Sequence, residues 1–359
     1  MENRHLPHDL AQMQSVPLEG KIIMTQLRIR AWYEHFDGQV YVSFSGGKDS
    51  TVLKHIVDGM YSDVPAVFVN TGLEYPEIQQ FVREIKAGKY DCFNSDIEIL
   101  RPEMRFDEVL KKYGYPVITK TISEVIRKAK KNPDPNTQRM KLLNGIATNK
   151  KTGEKSHFNC PKWKYLLQAP FDVSEQCCDE MKKKPAIKYE EMTGRKPLLA
   201  LMACESQKRK NGWLKTGCNA FDKKRPQSQP MAFWTEQDVL HYLKKYKIPY
   251  CTAYGEIVID DNSSDVLPGQ INMIDYLGCH DEKDILKTTG CKRTGCIYCA
   301  FGCHIESSPN RFQILKETHP RQYEYCINGG EYDESGKWQP SKQGLGLGKV
   351  LDYIGVKYD

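Results

Sequence analysis

Two stretches of the chain carry residue types whose spacing is chemical. The first is Ser45-Gly46-Gly47-Lys48-Asp49-Ser50. Adjacent glycines let backbone N–H groups converge on an oxygen-rich anion, and the helix expected from Asp49 onward points its positive end at the same place. Lys48 adds a full charge, and Ser45 and Ser50 supply hydroxyl donors. Asp49 is out of place in a bare phosphate cradle unless it holds Mg²⁺ or orients the loop, so the pattern suits a metal-bound triphosphate. It is not a Walker A loop, because that motif needs a glycine five residues before Gly47, where Val42 stands. The second stretch is Cys291, Cys296, Cys299 and Cys303, a C-x4-C-x2-C-x3-C run with Gly290, Gly295 and Gly302 around it. Thiolates this dense repel one another unless a cation compensates them, which points to a metal ion or cluster. The adjacent pair Cys177-Cys178 is a second source of ligands.

The elements that must hold these residues follow from periodicity. Val40, Val42 and Phe44 alternate with Tyr41 and Ser43 as a strand. After the glycine pair, Val52, Leu53, Ile56, Val57 and Met60 fall on one helical face. Ala66-Val67-Phe68-Val69 reads as a strand buried on both faces, Pro76 opens a helix with Ile78, Phe81, Val82 and Ile85, and Ile97–Leu100 is a third strand before a helix at Phe106–Tyr113. This βαβαβ alternation predicts an α/β fold with a doubly wound, mostly parallel sheet whose ligands sit beyond the carboxyl ends of the strands. Residues 130–165 lack periodicity and read as an irregular or mobile insertion. Pro197–Met202 reads as a further strand, and Thr235 with Asp238 caps a helix whose apolar face is Val239, Leu240, Leu243 and Tyr246. Gly344, Gly346 and Gly348 follow no strand and precede a short terminal helix. The expected division is an N-terminal helical extension (1–37), a nucleotide-binding α/β domain (38–260) and a loop-rich, cysteine-rich metal-binding region (261–359).

Composition sets the outer limits. The chain has 359 residues, 40% hydrophobic and 27% charged, which is globular usage rather than that of a disordered chain. Met1–Leu10 is polar and charged without a secretory profile, and no apolar run approaches the length needed to cross a bilayer, so a cytoplasmic protein without membrane contact is expected. Thirteen cysteines, an odd and clustered set, suit a reducing compartment and metal thiolates better than a disulfide framework. The net charge of +6 is mild. Basic runs at Lys111–Lys131, Lys182–Lys184 and Lys208–Arg225 read most simply as solvated faces, so a nucleic-acid partner is compatible with them and not indicated by them.

The loop is accompanied by Phe68-Val69-Asn70-Thr71-Gly72-Leu73-Glu74-Tyr75-Pro76, by Cys177-Cys178 with Lys182–Lys184, by Glu205-Ser206 with Arg209, and by Pro230-Met231-Ala232-Phe233-Trp234-Thr235-Glu236-Gln237-Asp238-Val239. With that company it resembles the PP-loop of the adenine-nucleotide α-hydrolase-like superfamily, and within it the phosphoadenylyl-sulfate (PAPS) reductase family, over residues 38–305. The resemblance implies an adenine nucleotide, ATP with Mg²⁺, held by Ser45, Gly46, Gly47, Lys48, Asp49 and Ser50 together with Asn70, Thr71 and Gly72. It assigns catalytic work to Lys48, Asp49, Glu205 and Arg209. A Cys-Cys pair followed far downstream by Cys-x-x-Cys looks like the ligand set of a [4Fe–4S] cluster in relatives. Cys177, Cys178, Cys296 and Cys299 are therefore the first choice, with Cys291 and Cys303 in reserve, and Zn²⁺ on the local four is the alternative.

Relatives that split ATP into AMP and pyrophosphate keep the full Ser-Gly-Gly-x-Asp-Ser, as this chain does, whereas relatives that reduce adenylyl sulfate show an altered loop and a C-terminal Glu-Cys-Gly thiol. Here the last cysteine is Cys326 and the final residues are Gly355–Asp359. The leading expectation is ATP-dependent activation of an acceptor for sulfur transfer, with a sulfur-donor protein as a partner. Sulfonucleotide reduction and a non-catalytic nucleotide and metal-binding role stand beside it. Cys204 and Cys218 are candidate persulfide carriers, with buried structural thiols the simpler reading of both.

Overall fold

The computed structural model describes residues 4–149, 152–260 and 284–359, so the first part of the expected C-terminal region, 261–283, lies outside the described residues. The chain forms two compact units, each discontinuous in sequence. The first takes Met1–Asn70, Glu74–Leu100 and Ile187–Thr294, the second Thr71–Leu73, Arg101–Ala186 and Gly295–Asp359. Among the described residues no helix is long and apolar enough to cross a membrane.

The first unit is built on strands β1 (Val40–Ser43), β2 (Ala66–Val69), β3 (Ile97–Leu100), β4 (Lys196–Leu199), β5 (Asn219–Ala220) and β6 (Gln227–Ser228), in spatial order β3-β2-β1-β4-β6-β5. All neighbours are parallel except β5 and β6. This is the α/β, mostly parallel sheet expected from the sequence. The central position of β1 explains one departure: Tyr41 does not face water opposite Val40 and Val42 but is buried with them. Its hydroxyl donates to Glu190 at 2.7 Å, and Arg225 holds the same carboxylate through two bonds of 2.7 Å. A buried hydroxyl needs such a partner, which is why a tyrosine is tolerated between two valines.

Helix Lys48–Asp58 follows β1 and buries Val52, Leu53, Ile56 and Val57; helix Pro76–Lys86, with proline at its first turn, buries Ile78, Phe81, Val82 and Ile85. Thr235 and Asp238 form the expected capping box, Asp238 accepting from the Thr235 N–H at 2.6 Å. That helix buries Val239, Leu240, Tyr242 and Leu243, while Tyr246, expected on the apolar face, caps the C-terminus and is exposed. The N-terminal extension is helical at Pro7–Gln14 and Leu18–His35, and its Lys21 reaches both Asp238 carboxylate oxygens at 2.7 Å in a buried ion pair. The strand expected at Pro197–Met202 ends at Leu199.

The second unit joins three short extended segments. Tyr115 bridges Val173, and Val117–Ile118 pairs in parallel with Ala300–Phe301. Gly114 sits at φ +102° with Asp172 so close that a Cβ would lie 2.3 Å from its backbone, so only glycine admits the approach. Helix Lys120–Lys131, capped by Thr119, then runs past the segment that carries Cys177, and Arg127 clamps Glu175 through bonds of 3.0 and 2.6 Å. The insertion at 130–165 is not irregular throughout. Thr137 caps a helix at Gln138–Leu143, a 3₁₀ segment spans Pro161–Gln168, and Leu143 and Leu166 are fully buried. Two buried leucines do not register as a period among so many lysines, which is why no element was expected there. The terminal glycines lead into helix Leu347–Tyr353, as expected, though Gly348 lies inside it.

Candidate functional site

In the first unit the loop lies where β1 gives way to its helix. Gly46 adopts φ +71°, and a Cβ there would lie 2.8 Å from Ile78 Cγ2, so both conformation and space demand glycine. Gly47 is the helix N-cap and has no side chain to satisfy the first-turn donors, which leaves the N–H groups of Asp49 and Ser50 without intrahelical acceptors. Ser45 and Ser50 face each other with hydroxyl oxygens 3.0 Å apart, and the Ser50 hydroxyl donates to the Gly47 carbonyl at 2.9 Å, fixing the loop.

The loop's positive groups are already engaged. The Lys48 ammonium pairs with Glu236 and donates to the Lys292 carbonyl at 3.1 Å, while the Lys48 backbone N–H donates to the Tyr254 hydroxyl at 3.2 Å. Tyr254 in turn meets Thr294 at 2.6 Å. Asp49 keeps a buried carboxylate oxygen, Oδ1, with no hydrogen-bond partner, and burial pushes its pKa up against the pull of Lys48. Glu236, Arg293 and Arg209 are its other charged neighbours. Glu205 holds Arg209 in an ion pair, accepts from the Met202 N–H at 3.2 Å and lies 3.9 Å from Arg293. Its carboxylate is thus an orienting group for two arginines. Burial, with Arg293 beside it, lowers the Arg209 pKa. Lys48, Asp49, Glu205 and Arg209 therefore belong to one charged constellation. An orphaned carboxylate oxygen beside a lysine and two arginines fits a polyphosphate with its divalent cation.

Asn70 ends β2 in the first unit, with its N–H on the Leu100 carbonyl at 2.9 Å, whereas Thr71 and Gly72 belong to the second unit, where Thr71 accepts from the Leu73 N–H at 3.1 Å. Cys204 is exposed, its thiol 3.4 Å from the Trp234 carbonyl; Cys218 is buried against Trp213.

In the second unit Cys177, Cys178, Cys296 and Cys299 interact electrostatically. The Cys177–Cys178 hydrogen bond comes first: it pushes the Cys178 pKa down to about 5 and, with burial, pushes Cys177 up. Lys120 donates to Cys178, whose negative charge raises the lysine's pKa although burial opposes it. Cys303 donates to the Ala300 carbonyl at 2.9 Å, and burial lifts it to about 12. Cys291 lies in the first unit beside Tyr75 and Glu77. Among the described residues every cysteine is a free thiol, and no group of three or more His, Cys, Asp or Glu side chains is drawn in to the spacing of a bound ion. The donor set nevertheless fits a soft metal centre: four thiols of one unit, one already favouring the thiolate and backed by a lysine.

Sequence reasoning missed Glu236, Tyr254, Arg293, Thr294 and Lys120. Glu236 stands in a quoted motif but reads as a helix-cap residue, and Lys120 is hidden in a basic run; the others carry no local signal.

Residues 39–146 match the family model of the phosphoadenosine phosphosulfate reductase domain. An uncharacterized protein of Methanocaldococcus jannaschii is 35% identical over 91 residues, 24% of this chain and 21% of that protein. Phosphoadenosine 5'-phosphosulfate reductase of Vibrio campbellii is 27% identical over 105 residues, 29% of this chain and 39% of that enzyme. The chain thus spans well under half the length of either relative. A crystal structure of PAPS reductase from Candida auris, a phosphate complex, aligns over 70% of this chain and 92% of its own at 13% identity and a TM-score of 0.36. The family match contains the loop and β1 to β3 and none of Cys177, Cys178, Cys296 and Cys299.

Proposed function

From a chain that is PAPS reductase-like and of the PP-loop type over residues 39–146, we propose an enzyme that splits ATP into AMP and pyrophosphate to activate an acceptor for sulfur transfer. An acceptor oxygen attacks the α-phosphorus, the bond to the bridging oxygen breaks, and its electron pair leaves with pyrophosphate. The acceptor then carries AMP, which a sulfur nucleophile displaces. In this reading the loop N–H groups, Lys48 and Arg209 stabilise the charge that builds on the departing oxygens. Asp49 would hold Mg²⁺, which when bound neutralises phosphate charge. Cys177, Cys178, Cys296 and Cys299 would hold an iron–sulfur cluster, which when bound supplies electron-transfer or sulfur-handling chemistry.

The observation that carries this reading is the complete Ser45–Ser50 loop at a helix N-terminus, with Asp49 Oδ1 unsatisfied inside it. The names of the matched reductases favour a second reading, reduction of an adenylyl sulfate with release of sulfite. Incubation with ATP, with adenylyl sulfate and with PAPS, each with thioredoxin, followed by product identification, separates them. AMP with pyrophosphate from ATP supports the proposal; sulfite from either sulfonucleotide supports the reductase, and binding of ATP with no turnover beside any acceptor supports a non-catalytic nucleotide-binding component.

A further inference from the structure

One of the basic stretches of this chain is interleaved with aromatic residues. Between Thr137 and Ala169 stand seven Lys or Arg residues and the single carboxylate Glu154, a surplus of six that equals the net charge of all 359 residues. The remainder of the molecule is balanced. Two other basic runs are laced with acids, as Lys128 with Glu124, Lys183 with Asp179 and Lys184 with Glu180 show; the run Lys208–Arg225 has the same surplus, seven Lys or Arg against Asp222, with Arg209 on Glu205 and Arg225 on Glu190. In the insertion, among the described residues, Arg139, Lys141, Lys155, Lys162 and Lys164 pair with no carboxylate.

Aromatic rings are interleaved with these cations in sequence, Phe158 exposed, Tyr165 partly covered by Tyr353 and Trp163 half-buried. Phe158 is 74% exposed and Tyr165 38%. Trp163 lies 6.2 Å from Tyr165, ring to ring, with the Lys162 ammonium 4.9 Å from its centre. Solvated lysines alone explain neither the exposed phenyl ring nor the missing acids. Stacking platforms among unpaired cations are what a polyanion with flat, apolar side groups requires. A duplex is read by a long helix or ribbon seated in a groove, whereas the elements here are the six-residue helix Gln138–Leu143 and a 3₁₀ segment. Unstacked bases suit them better.

We propose that residues 137–149 and 152–169 are a binding surface for single-stranded nucleic acid, with Lys155, Lys162 and Lys164 on phosphates and Phe158, Trp163 and Tyr165 stacking bases. The surface packs on helix Lys120–Lys131, whose first residue bonds Cys178, and Trp163 meets the ring of His304, next to Cys303, at 5.2 Å. A bound strand therefore lies on the unit that carries the thiols. The inference stands apart from ATP cleavage, because binding is read without nucleotide.

The test is fluorescence anisotropy of the full chain with a labelled 20-nucleotide DNA strand, the matching RNA strand and the 20-base-pair DNA duplex. Five to seven phosphate contacts give a log–log salt slope of about −3 to −5, so binding weakens roughly 10²- to 10³-fold between 50 and 200 mM salt. Joint replacement of Lys155, Lys162 and Lys164 by Ala weakens binding roughly 10- to 100-fold and flattens the slope by about 2. Phe158→Ala, which removes an exposed ring and leaves the fold alone, weakens it roughly 5- to 100-fold. Joint Ala replacement of Lys244, Lys316 and Lys342, exposed elsewhere, is the charge-matched control and leaves binding in place. A preference for RNA or for DNA among the single strands names the source and supports the surface in either case. No binding at 50 mM salt, tighter binding of the duplex, equal loss in the control, or displacement by polyglutamate as effective as by unlabelled strand overturns it.

Discussion

Glu236→Gln is the perturbation that separates a latch from a ligand. Lys48 is almost wholly buried, and its ammonium is held by Glu236 and by the Lys292 carbonyl. A triphosphate must take Lys48 from Glu236 and also approach a carboxylate of its own sign. Two unit charges 4 Å apart interact by about 4 kcal/mol at an effective dielectric constant of 20. Glu236 is 59% exposed, however, and solvent screening reduces such a pair to about 1 kcal/mol or less. Removing the charge while keeping the shape should therefore tighten binding of a non-hydrolysable ATP analogue by up to about fivefold. Titration calorimetry at 50 and 500 mM salt is the assay, and the gain should shrink at the higher salt because the pair is partly screened already. Unchanged or weakened binding in Glu236→Gln would refute the reasoning and make Glu236 a direct ligand of the nucleotide or its cation.

Burial raises the Asp49 pKa above its unfolded value, so the folded state binds the extra proton and stability falls as pH rises through the window above 3.8. Asp49→Asn should accordingly be more stable than wild type at pH 7 by about 1–3 kcal/mol in urea unfolding, an advantage that vanishes as pH falls below 3.8, while ATP cleavage is lost. Anaerobically purified protein should absorb broadly in the visible. Cys296→Ser or Cys299→Ser should remove that band while Cys291→Ser keeps it; the reverse pattern, or a colourless zinc-loaded sample, would dismiss the proposed ligand set. Lys21→Met should cost about 3–5 kcal/mol by stranding the buried Asp238 carboxylate, and Lys21→Met with Asp238→Asn should recover part of it, as chemical denaturation would show. Gly46→Ala forces a left-handed residue against Ile78 and should abolish ATP-analogue binding with the circular dichroism spectrum retained.

The Ser45–Ser50 loop and the sheet that carries it were legible because both rest on local rules: a glycine pair between an apolar strand and an amphipathic helix, then short apolar strands alternating with helices. What the sequence withheld is long-range. Tyr254 and Glu236 come to Lys48 from positions 206 and 188 residues away, and Tyr41 is buried only because β4 returns beside β1. The cysteines show both sides. Their density marked thiol chemistry and spacing drew attention to the local four, while the family resemblance already held Cys291 in reserve; the fold places Cys291 in the other unit. Ile118 offered no signal at all: a buried β-branched residue at φ +61°, it sits just before Thr119, the cap of the helix that begins with Lys120.

The central claim is that Ser45–Ser50 grips the pyrophosphate that ATP releases. Calorimetric titration of the full chain with magnesium pyrophosphate, for wild type and for Lys48→Ala, tests it without an acceptor. Pyrophosphate that binds the wild type, competes with ATP and is lost with Lys48 is the outcome this account predicts. A chain that ignores pyrophosphate at millimolar concentration, or binds it equally well without Lys48, contradicts it.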